Sequence, residues 1–450
     1  MRRCTPVNAR ASRLRTWRLR DTQAGLCRGR FAPDASPVIS WGFPMTAPII
    51  SFCIPTFTRS RYLEALLGSR ADHLAAFPYS FEIVIGDNAS TDRTGAVVDA
   101  FRTRLPIRYF RHAENIGGFP NFQFVMSQAL GRYVMYVADD DSILAVHVAA
   151  AVAKLEADPE IAVVYAPWML FDLVHKKNLG LVFSVPHDLQ IRRGRHRELL
   201  DHVLSHHIFP EIQIVRRAVL QRAMPRINPH AFFAFVHAAD YLVQGDVLIQ
   251  QQPFYASITQ YFADEVRAQI GSEEAAYAWD RYRGGLEYLM ARAQPQFAPQ
   301  ERLDLQARVE QMIAVRLSVA IRLRHAAGSN PIDTWMLAMR LRGMGCEPLS
   351  PVPLSVLASW AALYFLATDA DLHHGAQKII CVGVFEPDLR DYLQRNSLLP
   401  LECTEDPPVL DALSATLVFT RGDLALPSSF DAVRQVRVLS ESDLRARFAL

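Results

Sequence analysis

Lysine is almost absent. Of the 48 lysines and arginines in this 450-residue chain, four are lysine (Lys154, Lys176, Lys177 and Lys378). The other cations are arginines, an excess that coding bias explains as readily as selection for phosphate recognition. Net charge is also scarce: at +2 it predicts neither nucleic-acid binding nor an acidic partner. Paired cysteine motifs are missing. Cys4, Cys27, Cys53, Cys346, Cys381 and Cys403 are scattered, with no C-x-x-C. That argues against a disulfide framework or structural zinc and fits a reducing cytosol. A clean membrane span is lacking too. The nearest stretch, "PLSVLASWAALYFLAT" (353–368), is too short and starts among prolines. It reads as a core helix, with a membrane-surface helix as the minor alternative.

The first 44 residues are rich in arginine, poor in acids and without apolar periodicity. They lack the apolar stretch of a secretory signal. A transit peptide or a lipid-touching basic arm is conceivable. The favoured expectation is a disordered arm upstream of a native start at Met45, which directly precedes "TAPIISFCIPTF".

What is present is a core-forming chain, 50% hydrophobic and long enough for two or three domains. From Pro48 to about Tyr165, apolar strand-like runs (49–54, 81–85, 107–110, 133–138, 161–166) alternate with helical patterns. Such alternation predicts an α/β domain with a mostly parallel sheet covered on both faces. In these sheets ligands collect at the carboxyl ends of the strands. Residues 167–260 are less regular, 263–370 mainly helical, and "KIICVGVF", "DLRDYLQRN", "ATLVFT" and "VRQVRVLS" predict a small α/β unit. The expected division is a basic arm (1–44), a catalytic domain (45–262), a helical region (263–372) and a C-terminal α/β domain (373–450).

Two acidic clusters stand at strand exits. "FEIVIGDNASTD" leaves its strand at Asp87, and "YVMYVADDD" leaves at Asp139, Asp140 and Asp141. If both strands share one parallel sheet, the clusters open into one crevice. Helix capping is the rival explanation: Ser90 or Thr91 for a helix near Arg93, and Asp141 or Ser142 for one starting at Ile143. A cap needs one oxygen, however, and bunched carboxylates raise one another's pKa. A divalent cation removes that repulsion, and Mg²⁺ or Mn²⁺ bridges carboxylates to diphosphate oxygens.

The blocks "ISFCIPTFTRSRYLEALL", "FEIVIGDNASTDRT", "NIGGFPNF" and "GRYVMYVADDDSIL", in this order, resemble glycosyltransferase family 2 over about residues 47–260. The "DDD" ending is similar to the branch containing abequosyltransferase-type enzymes of O-antigen assembly. The resemblance implies a GT-A fold and a cytoplasmic hexosyltransferase-type enzyme, with peripheral association at the inner face of the plasma membrane as an open alternative. It implies Mn²⁺ or Mg²⁺, a nucleotide-sugar donor and a glycan or lipid-linked acceptor in cell-envelope polysaccharide synthesis.

Carried over residue by residue, Pro55, Thr56, Phe57 and Asp87 contact the nucleotide base. Asn88 and Ser90 shape that loop. Asn115, Gly117, Gly118 and Asn121 match the family's N-x-G…N loop, where glycines let backbone approach the donor. Arg59 is near enough in sequence to reach a phosphate, with a surface role equally open. Ala138 replaces the usual first Asp of D-x-D-D. Asp140 then aligns with the metal ligand, Asp139 with a ribose or metal contact, and Asp141 with the following acid, counted as a second metal ligand. A literal D-x-D of Asp139 and Asp141 is the other alignment. The general base is expected at Asp240, with Glu211 and Asp246 as competitors.

The family's Q-x-x-R-W block and membrane helices are missing, so single-sugar addition is expected. His202 and His206 stand one helical turn apart, but without H-E-x-x-H they read as helix surface or acceptor lining rather than zinc ligands. Two rival functions remain: a nucleotidyltransferase, whose glycine-rich signature is absent, and a scaffold with a decayed transferase domain.

Overall fold

The computed structural model describes residues 47–264, 279–383, 385–409, 415–432 and 436–450. The N-terminal arm with its expected Met45 start, Cys4, Cys27 and part of the run at 433–440 lie outside these residues.

The main sheet follows the sequence pattern closely where strands are apolar throughout. β1 (Ile50–Thr56), β2 (Phe81–Asp87) and β4 (Tyr133–Tyr136) are buried on both faces, as parallel strands between helices must be. β3 (Ile107–Arg111) completes one edge, giving the order β3-β2-β1-β4 with all pairs parallel. Helices α1 (Ser60–His73), α2 (Thr94–Phe101) and α3 (Gly118–Ser127) connect them. β5 (Ser142–Ile143) is a two-residue strand, and α4 (Ala145–Ala157) follows it. The expected helix start at Ile143 is therefore corrected: Ile143 pairs with a second sheet instead.

Beyond β4 the sheet changes direction. β6 (Ile161–Tyr165) does not pair with β4. β10 (Gln213–Arg216) lies between them, antiparallel to both. β11 (Asp246–Ile249) is parallel to β6, and β9 (Leu189–Ile191) closes the edge. A smaller sheet, β5-β12-β7-β8, is built from β7 (Trp168–Asp172), β8 (Lys177–Leu181) and β12 (Tyr255–Gln260). Helices α5 (His196–His206), α6 (Arg217–Ala223) and α7 (Phe233–Gln244) complete this part.

One face of the sheet is covered by α1, α2 and α4, with Leu63, Leu66, Val98, Val148 and Leu155 fully buried. The other face carries α3 and α7, and its core runs on into the helical region without a break. That region comprises α8 (Trp279–Ala293), α9 (Glu301–Ala326), α10 (Pro331–Gly343) and α11 (Leu354–Thr368). Leu289, Ile313 and Leu341 belong to the same cluster as Phe235 and Leu242. Leu357, Ala361, Leu363 and Leu366 of α11 are buried, as a core helix requires. Among the described residues no helix is long and apolar enough to cross a membrane. The C-terminal unit is a four-stranded parallel sheet. It contains β13 (Lys378–Val382), β14 (Leu401–Thr404), β15 (Thr416–Thr420) and β16 (Val436–Ser440) in the order β14-β13-β15-β16, with α12 (Pro387–Asn396) and α13 (Glu441–Arg447). The described cysteines, Cys53, Cys346, Cys381 and Cys403, are free.

Candidate active site

Strand register brings the two acidic exits together. β1 pairs with β2 so that Thr56 faces Asp87. On its other side Ile50 faces Tyr133 and Cys53 faces Tyr136. Continued past Cys53, that register sets Thr56 level with Asp139, and the Thr56 hydroxyl donates to Asp139 Oδ2 at 2.7 Å. Thr56 therefore stands between the clusters, and both open at one sheet edge.

The loops leaving β1 and β2 are bonded to each other. Asn88 N–H donates to the Thr56 carbonyl (2.9 Å), Thr58 N–H to Ser90 Oγ (2.8 Å) and Ser60 N–H to Asp92 Oδ2 (2.8 Å). Thr58 takes a positive φ of 52° to make this turn. Asp87 is buried. Its Oδ1 accepts from Ser90 N–H (2.8 Å), its Oδ2 accepts from the Tyr109 hydroxyl (2.5 Å), and Arg111 Nε stands 3.6 Å away. Burial, then Asp87, holds the Tyr109 phenol protonated well above its ordinary range. Asn88 spans to the next loop, receiving Ile116 N–H (2.8 Å) and donating to Asn115 Oδ1 (2.7 Å). Asn121 donates to the Gly86 carbonyl at 2.8 Å. A Cβ at Gly86 would meet Asn121 Oδ1 at 2.8 Å, so this strand position requires glycine. Gly117 has φ 93°, which L side chains rarely adopt, and a Cβ at Gly118 would meet open space. Pro55 is the last residue but one of β1, beside these loops, and Phe57 is 44% exposed.

Capping accounts for little of this. At α2 the N-cap residue, Arg93, makes no side-chain cap bond of its own. Asp92 rather than Ser90 accepts Thr94 N–H (3.0 Å). At α4 the N-cap position is Leu144, whose side chain makes no cap bond.

The three adjacent aspartates are all buried and do different things. Arg59 lies across two of them: its Nη1 is 3.0 Å from Asp139 Oδ1, and its Nη2 pairs with Asp140 Oδ2. Burial pushes the Asp139 carboxyl up to about 7 against the pull of Arg59. Burial also opposes the Arg59 charge, but the two carboxylates hold that guanidinium above its ordinary value. Asp141 turns toward β12. Its Oδ2 accepts from the Tyr255 hydroxyl and its Oδ1 from Ile258 N–H, both at 2.9 Å. The Tyr255 oxygen in turn accepts Ala138 N–H at 3.1 Å. Sequence reasoning left Arg59 undecided and did not single out Tyr255. Both act through chain-distant contacts that no local motif marks.

For a divalent cation, the chemistry of the donor set fits at Asp139 and Asp140. Two buried carboxylates already share one positive charge there, and hard cations prefer such oxygens. Among the described residues no three His, Cys, Asp or Glu side chains converge on one point. An ion held there would need further ligands besides these side chains.

The three carboxylates weighed as general base stand far apart. Asp240 is buried on α7, receives the Tyr288 hydroxyl at 2.9 Å and has Arg226 Nε at 3.5 Å and Arg292 at 4.0 Å. Asp246 begins β11, a strand running parallel to β6 and, through the shared antiparallel neighbour, in the direction of β4. It thus lies at the amino end of the sheet, opposite the crevice, tied to Arg192, Arg193 N–H and Gln190. Glu211 is half-buried just before β10.

His202 and His206 stack on α5 with ring centroids 5.8 Å apart. No converging third ligand accompanies them among the described residues.

Comparison with known proteins centres on this same segment. Residues 51–223 match the profile described as glycosyl transferase family 2. The abequosyltransferase RfbV of Salmonella typhimurium is 42% identical over 97 residues, 21% of this chain and 29% of that protein. The poly(ribitol-phosphate) β-N-acetylglucosaminyltransferase TarS of Staphylococcus aureus is 35% identical over 95 residues, 21% of this chain and 16% of that protein. The matched segments thus span less than a third of either relative. Among solved structures, S. aureus TarS 1–349 in complex with UDP-GlcNAc superposes with a TM-score of 0.41 at 15% identity, covering 66% of this chain and 89% of that one. The mannosyltransferase PcManGT from Pyrobaculum calidifontis, in complex with GDP-Man and Mn²⁺, gives 0.38 at 18% identity, over 72% and 90%. The segment that matches glycosyl transferase family 2 thus contains both acidic strand exits.

Proposed function

We propose that this protein is an inverting glycosyltransferase that moves one sugar from a nucleotide-sugar to a glycan or lipid-linked saccharide. The observation that carries this reading is the single crevice at Thr56, flanked by Asp87 on one side and Asp139 on the other, inside a family 2 segment. The similarity to an abequosyltransferase and to a poly(ribitol-phosphate) transferase supports an acceptor from cell-envelope polysaccharide synthesis.

In this reading the braced loops at Pro55–Phe57, Asp87–Ser90 and Asn115–Gly118 receive the nucleoside, and Asn121 holds the β2 exit in place. Asp139 and Asp140 would hold Mn²⁺ or Mg²⁺, whose charge would offset that of the departing nucleoside diphosphate. Asp141 fixes the loop to β12 and so positions its two neighbours. Arg59, released from the carboxylates, is placed to meet a donor phosphate. A carboxylate base takes the proton of the acceptor hydroxyl as that oxygen attacks the anomeric carbon.

The test is titration calorimetry with nucleoside diphosphates in Mn²⁺, on wild type and Asp140→Ala. Wild type should bind at least one diphosphate with a requirement for the ion. The variant should lose that binding and all transfer while unfolding within about 2 °C of wild type, as Arg59 keeps Asp139 as a partner. Retained ion-dependent binding and activity in the variant would refute the assignment.

A further inference from the structure

The reversal of β10 has a chemical result. In an all-parallel sheet, the residue before a strand lies at the edge remote from the ligand crevice. β10 runs the other way, so the residues entering it lie at the crevice. Ile214 faces Met135 and Arg216 faces Tyr133. Carried back from Ile214, that register sets Glu211 beside Ala138, directly before the three aspartates. The neighbouring Ala166 N–H donates to the Ile212 carbonyl at 3.3 Å, extending the ladder toward the crevice. Glu211 is also one of four carboxylates, with Asp139, Asp140 and Asp141, that act together with burial on the hydroxyl of Tyr136 at the end of β4.

Asp240 has a different address. α7 starts at the crevice edge, where Phe233 packs on Phe119 at 5.6 Å and on Phe122 at 5.4 Å between centroids. Phe122 in turn packs on Tyr136 at 5.1 Å. The helix then descends toward Asp246 at the far edge of the sheet. Asp240 lies about 10 Å further along the axis than Phe233, at roughly 1.5 Å per residue. Its carboxylate is engaged by Tyr288 of α8, in the helical region, and approached by Arg226, just ahead of α7.

We infer that Glu211, not Asp240, is the general base that deprotonates the acceptor hydroxyl. This inference rests on the transfer reading above. Across the sheet edge the order is then β2 exit, β1 exit, β4 exit and β10 entrance. It matches a donor laid out from nucleoside through diphosphate to sugar, with the base beyond the sugar. In the step, the acceptor O–H proton passes to a Glu211 oxygen, the acceptor oxygen bonds to the anomeric carbon, and the bond from that carbon to the diphosphate breaks. The electron pair leaves with the nucleoside diphosphate.

The test uses the full chain, Mn²⁺ and a panel of UDP-, GDP-, dTDP- and CDP-sugars, with water as the acceptor and released nucleoside diphosphate as the readout. Glu211→Gln should turn over at least tenfold more slowly, and by the usual worth of a general base about 100-fold or more. Its donor Kd should stay within threefold of wild type. Formate should restore part of the rate in Glu211→Ala. Asp240→Asn should keep the wild-type rate. A loss under tenfold in Glu211→Gln, or collapse of turnover in Asp240→Asn with donor binding intact, would overturn this assignment alone. Failure of wild type to bind any donor in the panel would overturn the transfer reading and this inference with it.

Discussion

Arg59→Met tests the electrostatics of the crevice directly. The guanidinium neutralises Asp139 and Asp140, both buried, while its own side chain keeps 21% exposure. Removing one partner of a buried ion pair costs ~3–5 kcal/mol. With partial access to water the expected loss is about 2–3 kcal/mol at pH 8, a fall of roughly 4–10 °C in Tm. The sign of the pH dependence follows from Asp139. Its folded pKa is raised to about 7, so the proton is held more tightly in the folded state than in the unfolded one. Without Arg59 that pKa rises further. The penalty should therefore shrink at pH 5.5, where Asp139 is neutral, and grow toward pH 8. Mn²⁺ should reverse it. An ion at a hundredfold its Kd stabilises by about 2.7 kcal/mol, and in the variant it need not displace a guanidinium first. The assay is thermal unfolding at the two pH values, in chelator and in Mn²⁺. An unchanged Tm at pH 8, or a Mn²⁺ shift no larger than that of wild type, would refute the shared-cation reasoning.

Tyr255→Phe removes the hydroxyl that donates to Asp141 and accepts Ala138 N–H. It should cost about 1–3 kcal/mol and weaken Mn²⁺-dependent diphosphate binding, checked by urea unfolding and calorimetry. His237 is buried and its pKa is depressed to about 4. The unfolded chain thus binds the extra proton first, and stability should fall as pH drops from about 6.5 to 4, by up to roughly 3 kcal/mol. His237→Leu should flatten that limb in urea midpoints measured at pH 7 and 4.5. An unchanged slope would assign the acid sensitivity to other groups.

The sequence was most informative where burial was symmetric. β1, β2 and β4 read as apolar runs because helices cover both faces, and their exits could be named from where the runs stop. β14 was missed because "LECT" is only partly buried and has no apolar run. The direction of β10 was illegible for a different reason: an apolar run does not say which way a strand crosses its sheet. That hid the position of Glu211, since the same residues ahead of a parallel strand would lie at the opposite edge. The partners of Asp141 were equally hidden. Tyr255 and Ile258 are more than a hundred residues away in sequence, and the Ile258 contact uses backbone N–H, which side-chain chemistry does not reveal.

The side-chain bridges joining the β1, β2 and Asn115 loops carry a thermodynamic consequence. Loops that must be ordered by a ligand subtract that ordering from its affinity. Here Ser90, Asp92, Asn88 and Asn115 fix the loops during folding, before any substrate arrives. On the proposed function, nucleotide recognition at this edge should accordingly show a small entropic penalty, with selectivity arising from shape match against a rim braced before binding.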